Sequence, residues 1–235
     1  MLLKADEHTL AELARRGNDQ GEHFQLLRDQ VFPANYQRAL SKAGIPEMYW
    51  DRSWEDYKRL GEIRDHTRKY AETLQKVVRT GASVLMYGNN GSGKTGLATE
   101  ILKVAVAEQF YRVRFITIHE MLELYKSGWK SDVSRRDFSN LRSSDLICID
   151  EMTGEYVNRP DFVSSVFNLI VKYRASNRKA TIITSNIGPA DLGKVYGQWF
   201  GSILKEFICL MVAAPDFRPT LGKAHLDGLY SDIEK

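Results

Sequence analysis

Eight residues, Gly88-Asn89-Asn90-Gly91-Ser92-Gly93-Lys94-Thr95, satisfy the pattern G-x-x-x-x-G-K-[ST] at every constrained position, which predicts a loop that cradles the phosphates of a nucleoside triphosphate. Such a loop works through its backbone. Glycines at 88, 91 and 93 admit dihedrals and close approaches that a Cβ blocks, so successive N–H groups can converge on phosphate oxygens. A helix N-terminus beyond the loop adds its partial positive charge. Lys94 is placed to reach the β- and γ-phosphates, and the Thr95 hydroxyl to take a position on Mg2+. A plain glycine turn between strand and helix is the alternative reading of the same stretch.

Two further clusters complete a hydrolytic site. Asp145-Leu146-Ile147-Cys148-Ile149-Asp150-Glu151 is an apolar strand ending in adjacent carboxylates. Asp150 is expected to hold Mg2+, directly or through water, and Glu151 to orient and polarise the attacking water as a general base. An ordinary strand end with two acids is the alternative. In Ala180-Thr181-Ile182-Ile183-Thr184-Ser185-Asn186 a β-branched strand also ends in polar residues. Asn186 is expected to reach the γ-phosphate or fix the water; otherwise it caps the helix beginning at Pro189. No N-K-x-D element follows the loop, which disfavours GTP, and a glutamate directly after the magnesium aspartate favours hydrolysis over transfer to a bound hydroxyl.

These residues need a frame, and the chain's periodicity supplies one. Short apolar, β-branched runs near 83–87, 113–118, 145–150, 180–185 and 208–213 alternate with stretches of helical spacing. That alternation predicts a parallel sheet joined by right-handed crossovers. The loop falls between the first strand and the helical stretch from Leu97 to Phe110. Before the sheet, a helix is expected from about Gly61 to Arg79, with Ile63, Tyr70, Leu74 and Val77 on its apolar face.

Residues 1–43 read as two or three short helices of mixed charge forming an appended arm, 44–218 as the nucleotide-binding domain, and 219–235 as a loosely held tail without clear period. Of the 235 residues 43% are hydrophobic, enough for a sizeable core. The 33 Lys and Arg against 30 Asp and Glu leave a formal charge of +3, too small to announce nucleic-acid binding, so any such site must be local. Cys148 and Cys209 sit in apolar runs with no C-x-x-C pairing and read as buried core thiols in a reducing compartment. No apolar run is long enough to span a bilayer, and a cytoplasmic protein is expected.

Ala43-Gly44-Ile45-Pro46-Glu47, the loop at 88–95, Ile149-Asp150-Glu151, Tyr173-Arg174 and Thr181-Ile182-Ile183-Thr184-Ser185-Asn186 together resemble the AAA+ helicase loaders of the DnaC and DnaI type. IstB-type transposition helper ATPases share most of these features. The resemblance runs from about residue 43 to Arg218 and includes Ala214-Pro215-Asp216-Phe217-Arg218, a version of the family's G-x-D-x-R ending that lacks the glycine. It implies an α/β fold, the AAA+ three-layer αβα arrangement with strand order 5-1-4-3-2. The function it implies is that of an ATP- and Mg2+-dependent factor that assembles on single-stranded DNA and delivers a ring-shaped replicative helicase, contacted through the N-terminal arm. A transposition helper, or a nucleotide-binding adaptor with little hydrolysis, remains the alternative.

One departure from the family matters. Ser202 and Glu206 stand where such loaders carry an arginine pair that touches a neighbouring subunit's nucleotide, so self-assembly and isolated ATPase activity are expected to be weak or to depend on a partner. Lys205, Arg174 and Arg178 are the candidate substitutes, although lysine lacks the forked geometry. For DNA, the stretch Tyr125-Lys126-Ser127-Gly128-Trp129-Lys130 with Arg135, Arg136, Phe138 and Arg142 interleaves cations and aromatics as single-strand binders do. A solvated helix face with Trp129 and Phe138 packed inward is the equal alternative.

Overall fold

The structure is a computed structural model and describes residues 33–108, 111–128, 131–152 and 160–216. The arm before Pro33 and the tail after Asp216 lie outside these residues. Helices α1 (Pro33–Ala43), α2 (Glu62–Glu72) and α3 (Leu74–Thr80) precede the first strand, β1 (Val84–Tyr87). Next come α4 (Lys94–Ala107), β2 (Val113–Thr117), α5 (Ile118–Gly128), α6 (Asp132–Ser143) and β3 (Leu146–Met152). A third crossover contains α7 (Pro160–Phe167), a π-helical stretch at Asn168–Lys172 and α8 (Tyr173–Ser176), and leads into β4 (Ala180–Ser185). Then α9 (Pro189–Tyr196) and α10 (Gln198–Leu204) return the chain to β5 (Ile208–Met211).

All strand pairs are parallel and the sheet order is β2-β3-β4-β1-β5, which is the expected 5-1-4-3-2 read from the opposite edge. Side chains alternate across a strand, so each strand feeds two cores. Val84, Met86, Leu146, Cys148 and Ile182 face one layer, formed by α1 to α4, while Leu85, Ile147, Ile149 and Ile183 face the other, formed by α5 to α10. Both faces are therefore covered, and the central strands can be apolar throughout.

The long helix expected over 61–79 is interrupted. Thr73 turns its hydroxyl back onto the carbonyls of Lys69 and Tyr70, ending α2, and α3 starts afresh at Leu74. Tyr70, Leu74 and Val77 are buried as expected, and Ile63 packs against the same core. Cys148 is a buried core thiol, but Cys209 is exposed, which corrects its reading as a core residue. The reason is position: β5 is an edge strand, paired only to β1, and its apolar run does not distinguish an edge from a centre.

The lead-in to the sheet is fixed at two places, the first of them within the Ala43–Glu47 stretch that carries the resemblance. Gly44 takes φ +79 after α1, where an ideal Cβ would stand 2.7 Å from the Phe115 carbonyl oxygen on β2. Further on, Lys103 of α4 forms an ion pair with Glu100 at 2.7 Å, both side chains 0% exposed, and donates to the carbonyls of Tyr49 (3.0 Å) and Arg52. A buried pair with added carbonyl acceptors offsets its desolvation only in this kind of fixed geometry. The lead-in is thereby held to the helix that begins in the phosphate loop.

Arg174 is 0% exposed and donates to Thr181 Oγ1 (3.0 Å), Leu141 O (3.2 Å), Arg142 O (3.0 Å), Ser144 O (2.7 Å) and Ala180 O (2.5 Å). These bonds tie α8 to the N-terminal ends of β3 and β4. Such a guanidinium is not available to a neighbouring subunit, so Arg174 is corrected from candidate finger to core strut. Arg174→Met is expected to leave these acceptors unpaired and to lower the unfolding free energy by about 3 kcal/mol or more, read from urea unfolding. A loss below about 1 kcal/mol would show that the strut is dispensable.

Candidate functional site

The sequence places the chemistry at the C-terminal ends of parallel strands, and a sheet of this kind gathers them there at the switch between neighbouring crossovers. β1 runs into the loop, and α4 starts at Lys94. Gly88 N–H bonds to the Ser185 carbonyl at 3.1 Å, and Val212 N–H to the Tyr87 carbonyl at 2.7 Å, so the loop springs from between β4 and β5. At Gly88 (φ +146) an ideal Cβ would stand 2.3 Å from Val212 O. Only glycine permits that approach. Ser92 is buried, and its N–H bonds to Asn89 O at 3.3 Å, while Asn89 and Asn90 are exposed.

Lys94 is 8% exposed, and its ammonium donates to Gly88 O (2.8 Å), Asn89 O (2.7 Å) and, at 3.4 Å, to Ser92 Oγ. The cation is thus already inside the loop, where incoming phosphate oxygens would exchange for neutral carbonyls. Gly91 has φ +71, and an ideal Cβ on it would fall 1.8 Å from Asp216 Oδ1, so the chain after β5 lays the Asp216 side chain on the phosphate loop. Phe217 and Arg218, the rest of that closing motif, lie outside the described residues.

Thr95 Oγ1 donates to Asp150 Oδ1 at 2.9 Å, which joins the loop to the tip of β3. A hydroxyl and a carboxylate oxygen at this separation are the hard donors Mg2+ takes from protein, the remainder coming from water and phosphate. Burial pushes the Asp150 carboxyl up from its ordinary value, with the neighbouring Glu151 charge adding to the rise and the hydroxyls of Thr184 and Thr95 opposing it. A divalent cation there would reverse the balance.

Glu151 has an exposed side chain and a left-handed backbone, φ 59, with its N–H bonded to Thr184 Oγ1 at 3.1 Å. Immediately after β4, Asn186 Oδ1 is buried and has no hydrogen-bond partner among the described residues. An orphaned amide oxygen costs free energy unless a ligand or water meets it, which suits a residue waiting for the reacting group. The capping alternative for Asn186 fails, because α9 is capped by the backbone of Gly188, with Pro189 at its first turn and no side-chain cap bond. The structure therefore joins the loop to Asp150 through Thr95, and sets Glu151 and Asn186 at the same ends of the neighbouring strands β3 and β4.

Ser202, Lys205 and Glu206 are exposed at the end of α10, and Arg178 is exposed before β4. For the candidate DNA segment, the aromatics favour packing: the Tyr125 ring meets those of Phe138 (ring centroids 5.3 Å) and Phe162 (5.9 Å) at a tilt. Several of the cations are locally paired, Lys126 with Glu123 (2.7 Å) and Arg135 with Asp132 (3.0 Å), and Arg142 lies over the Tyr173 ring at 4.0 Å. Trp129 and Lys130 lie outside the described residues. Sequence reasoning did not assign a role to Thr184 or Asp216; the motif Thr181–Asn186 contained the first as an unremarked strand residue.

Comparison with known proteins bears on the family and the fold. A family model described as "IstB-like ATP binding protein" matches residues 37–203. A replicative helicase loader DnaC of Buchnera aphidicola subsp. Schizaphis graminum is 27% identical over 202 residues, covering 83% of this chain and 78% of the relative. An insertion sequence IS21-like ATP-binding protein of Bacteroides fragilis is 26% identical over 119 residues, covering 51% of this chain and 58% of the relative. Among solved structures, a crystal structure of the DnaC helicase loader superposes with a TM-score of 0.63 at 21% identity, covering 72% of this chain and all of the other (100%).

Proposed function

We propose, from the premise that this chain belongs to the IstB-like ATP-binding protein family, that it is an ATP-hydrolysing loader which delivers a hexameric replicative DNA helicase to single-stranded DNA at the start of replication. The observation that carries the ATPase part is the convergence of Lys94, Thr95, Asp150, Glu151 and Asn186 on one end of the sheet. The loader part is favoured by the relative named as a replicative helicase loader, which aligns over 83% of the chain, against 51% for the insertion-sequence relative.

In this reading the N–H groups of Gly88 to Thr95 and the Lys94 ammonium hold the β- and γ-phosphates. Thr95 and Asp150 would hold Mg2+, which when bound would supply charge neutralisation at the phosphates. Glu151 draws a proton from the attacking water, and Asn186 fixes that water or a γ-phosphate oxygen. Residues 1–43 are the arm that docks the helicase, 44–218 the ATPase domain and 219–235 the tail, all in the cytoplasm. No described helix is long and apolar enough to cross a membrane.

The test is transfer. Purified replicative helicase from the source cell, closed circular single-stranded DNA and the full chain are mixed with or without ATP, and helicase retained on the circle is counted. ATP-dependent retention supports a loader. Retention of a transposase on duplex DNA in place of the helicase would move the protein to the transposition helpers. A second reading, an adaptor with slow hydrolysis, is favoured by one observation: exposed Ser202 and Glu206 stand where a trans arginine is expected. Specific ATPase activity is accordingly expected to stay flat as protein concentration rises and to increase on adding helicase. A steep cooperative rise for the protein alone contradicts it.

A further inference from the structure

Strands β3 and β4 pair in register through Ile149 with Ile183 and resume at Met152 with Ser185. Two residues, Asp150 and Glu151, therefore stand opposite Thr184 alone. A bulge of this kind frees a main-chain N–H from the ladder, bends the strand and re-aims a side chain. The extra residue is Glu151, at φ 59, a conformation that a glutamate holds only when its surroundings impose it.

One hydroxyl meets both demands. Thr184 Oγ1 accepts the Glu151 N–H at 3.1 Å and donates its own hydrogen to Asp150 Oδ1 at 2.5 Å. The same Oδ1 accepts from Thr95 at 2.9 Å. The result is a continuous run from Glu151 N–H through Thr184 to Asp150 and on to the phosphate loop. Thr184 is 1% exposed, so solvent does not compete for these bonds.

We propose that Thr184 is a positioning residue for ATP hydrolysis, clamping the bulge so that the magnesium-binding carboxylate of Asp150 and the water-activating carboxylate of Glu151 are held in fixed relation. The proposal rests on the reading of Asp150 and Glu151 given above. It explains why a hydroxyl stands at this register of β4. A β-branched apolar residue would fill the same space yet neither accept from Glu151 nor donate to Asp150.

Thr184→Val, Thr184→Ser and Thr184→Ala test it, using the full chain with its helicase partner. T184V is expected to keep its KM for ATP within about threefold while kcat falls about tenfold or more, and T184S to restore most of kcat. In a Glu151→Gln background T184V should cost little further turnover, because the two act as one unit. Hydrogen exchange at the Glu151 amide gives a readout independent of turnover: protected in the parent and T184S, unprotected in T184V. If T184V does not fold, T184A carries the same comparison. Parental kcat in T184V, or T184S as slow as T184V, overturns the proposal, as does an unchanged Glu151 amide. A parent that binds ATP but never hydrolyses it, while T184V still loses amide protection, overturns instead the reading of Glu151 as base.

Discussion

Lys94→Ala is expected to weaken ATP binding about 100-fold, because a buried ammonium that bonds charged phosphate oxygens contributes roughly 1.5–3 kcal/mol per contact. The geometry makes this position sensitive for a second reason. Lys94 Nζ bonds Gly88 O and Asn89 O, so it also shapes the loop's turn. Alanine removes the charge that draws the phosphate and the internal tie that keeps the loop folded to receive it. Lys94→Arg should not rescue, since a planar fork does not fit among three oxygens set for a point donor. Calorimetric titration with ATP and Mg2+ checks both variants; affinity within about threefold of the parent in K94A would show that phosphate binding does not pass through this loop.

Glu151→Gln is expected to retain ATP while turnover falls at least about 100-fold, the range a positioned general base supplies. Glutamine preserves side-chain length and leaves untouched the backbone N–H that Thr184 accepts, so the bulge and Asp150 stay in place. Since the side chain is exposed at the strand tip, the loss of its charge should not destabilise the fold. Single-turnover hydrolysis with helicase present, beside equilibrium binding, separates the two quantities. Parental turnover in E151Q would remove Glu151 from the chemistry. Binding and turnover lost together would point to a collapsed loop rather than a missing base.

The parts of this protein legible in sequence are those set by strong local patterns. The strand expected at 180–185 is Ala180–Ser185, because a strand buried on both faces reads as an unbroken apolar, β-branched run, and that expected at 113–118 is Val113–Thr117, an edge strand whose Val113 and Phe115 alternate into the core. The phosphate loop was legible for the same kind of reason: its glycines answer to local backbone demands such as the approach of Val212 O to Gly88. What was hidden depends on pairing between distant segments. Edge position exposes Cys209, the two-against-one register creates the demand on Thr184, and the meeting of α8 with two strand starts turns Arg174 into a core strut. Single-sequence periodicity carries no register, so none of these could be read in advance. The helix break at Thr73 belongs to a middle class, a local bond pattern too weak to outvote an apolar stripe.

The placement of β1 between β4 and β5 has a consequence for the newborn chain. During synthesis the phosphate motif emerges early, followed by the two acids of β3, yet the Ser185 carbonyl and the Val212 backbone that flank Gly88 come much later. A polypeptide interrupted between β3 and β4 carries the phosphate motif and both acids but lacks the segments that flank Gly88. Contacts of such long sequence separation close late and together. ATP can therefore act as a ligand of the finished molecule only, and a truncated product would contain the motif without competing for the nucleotide.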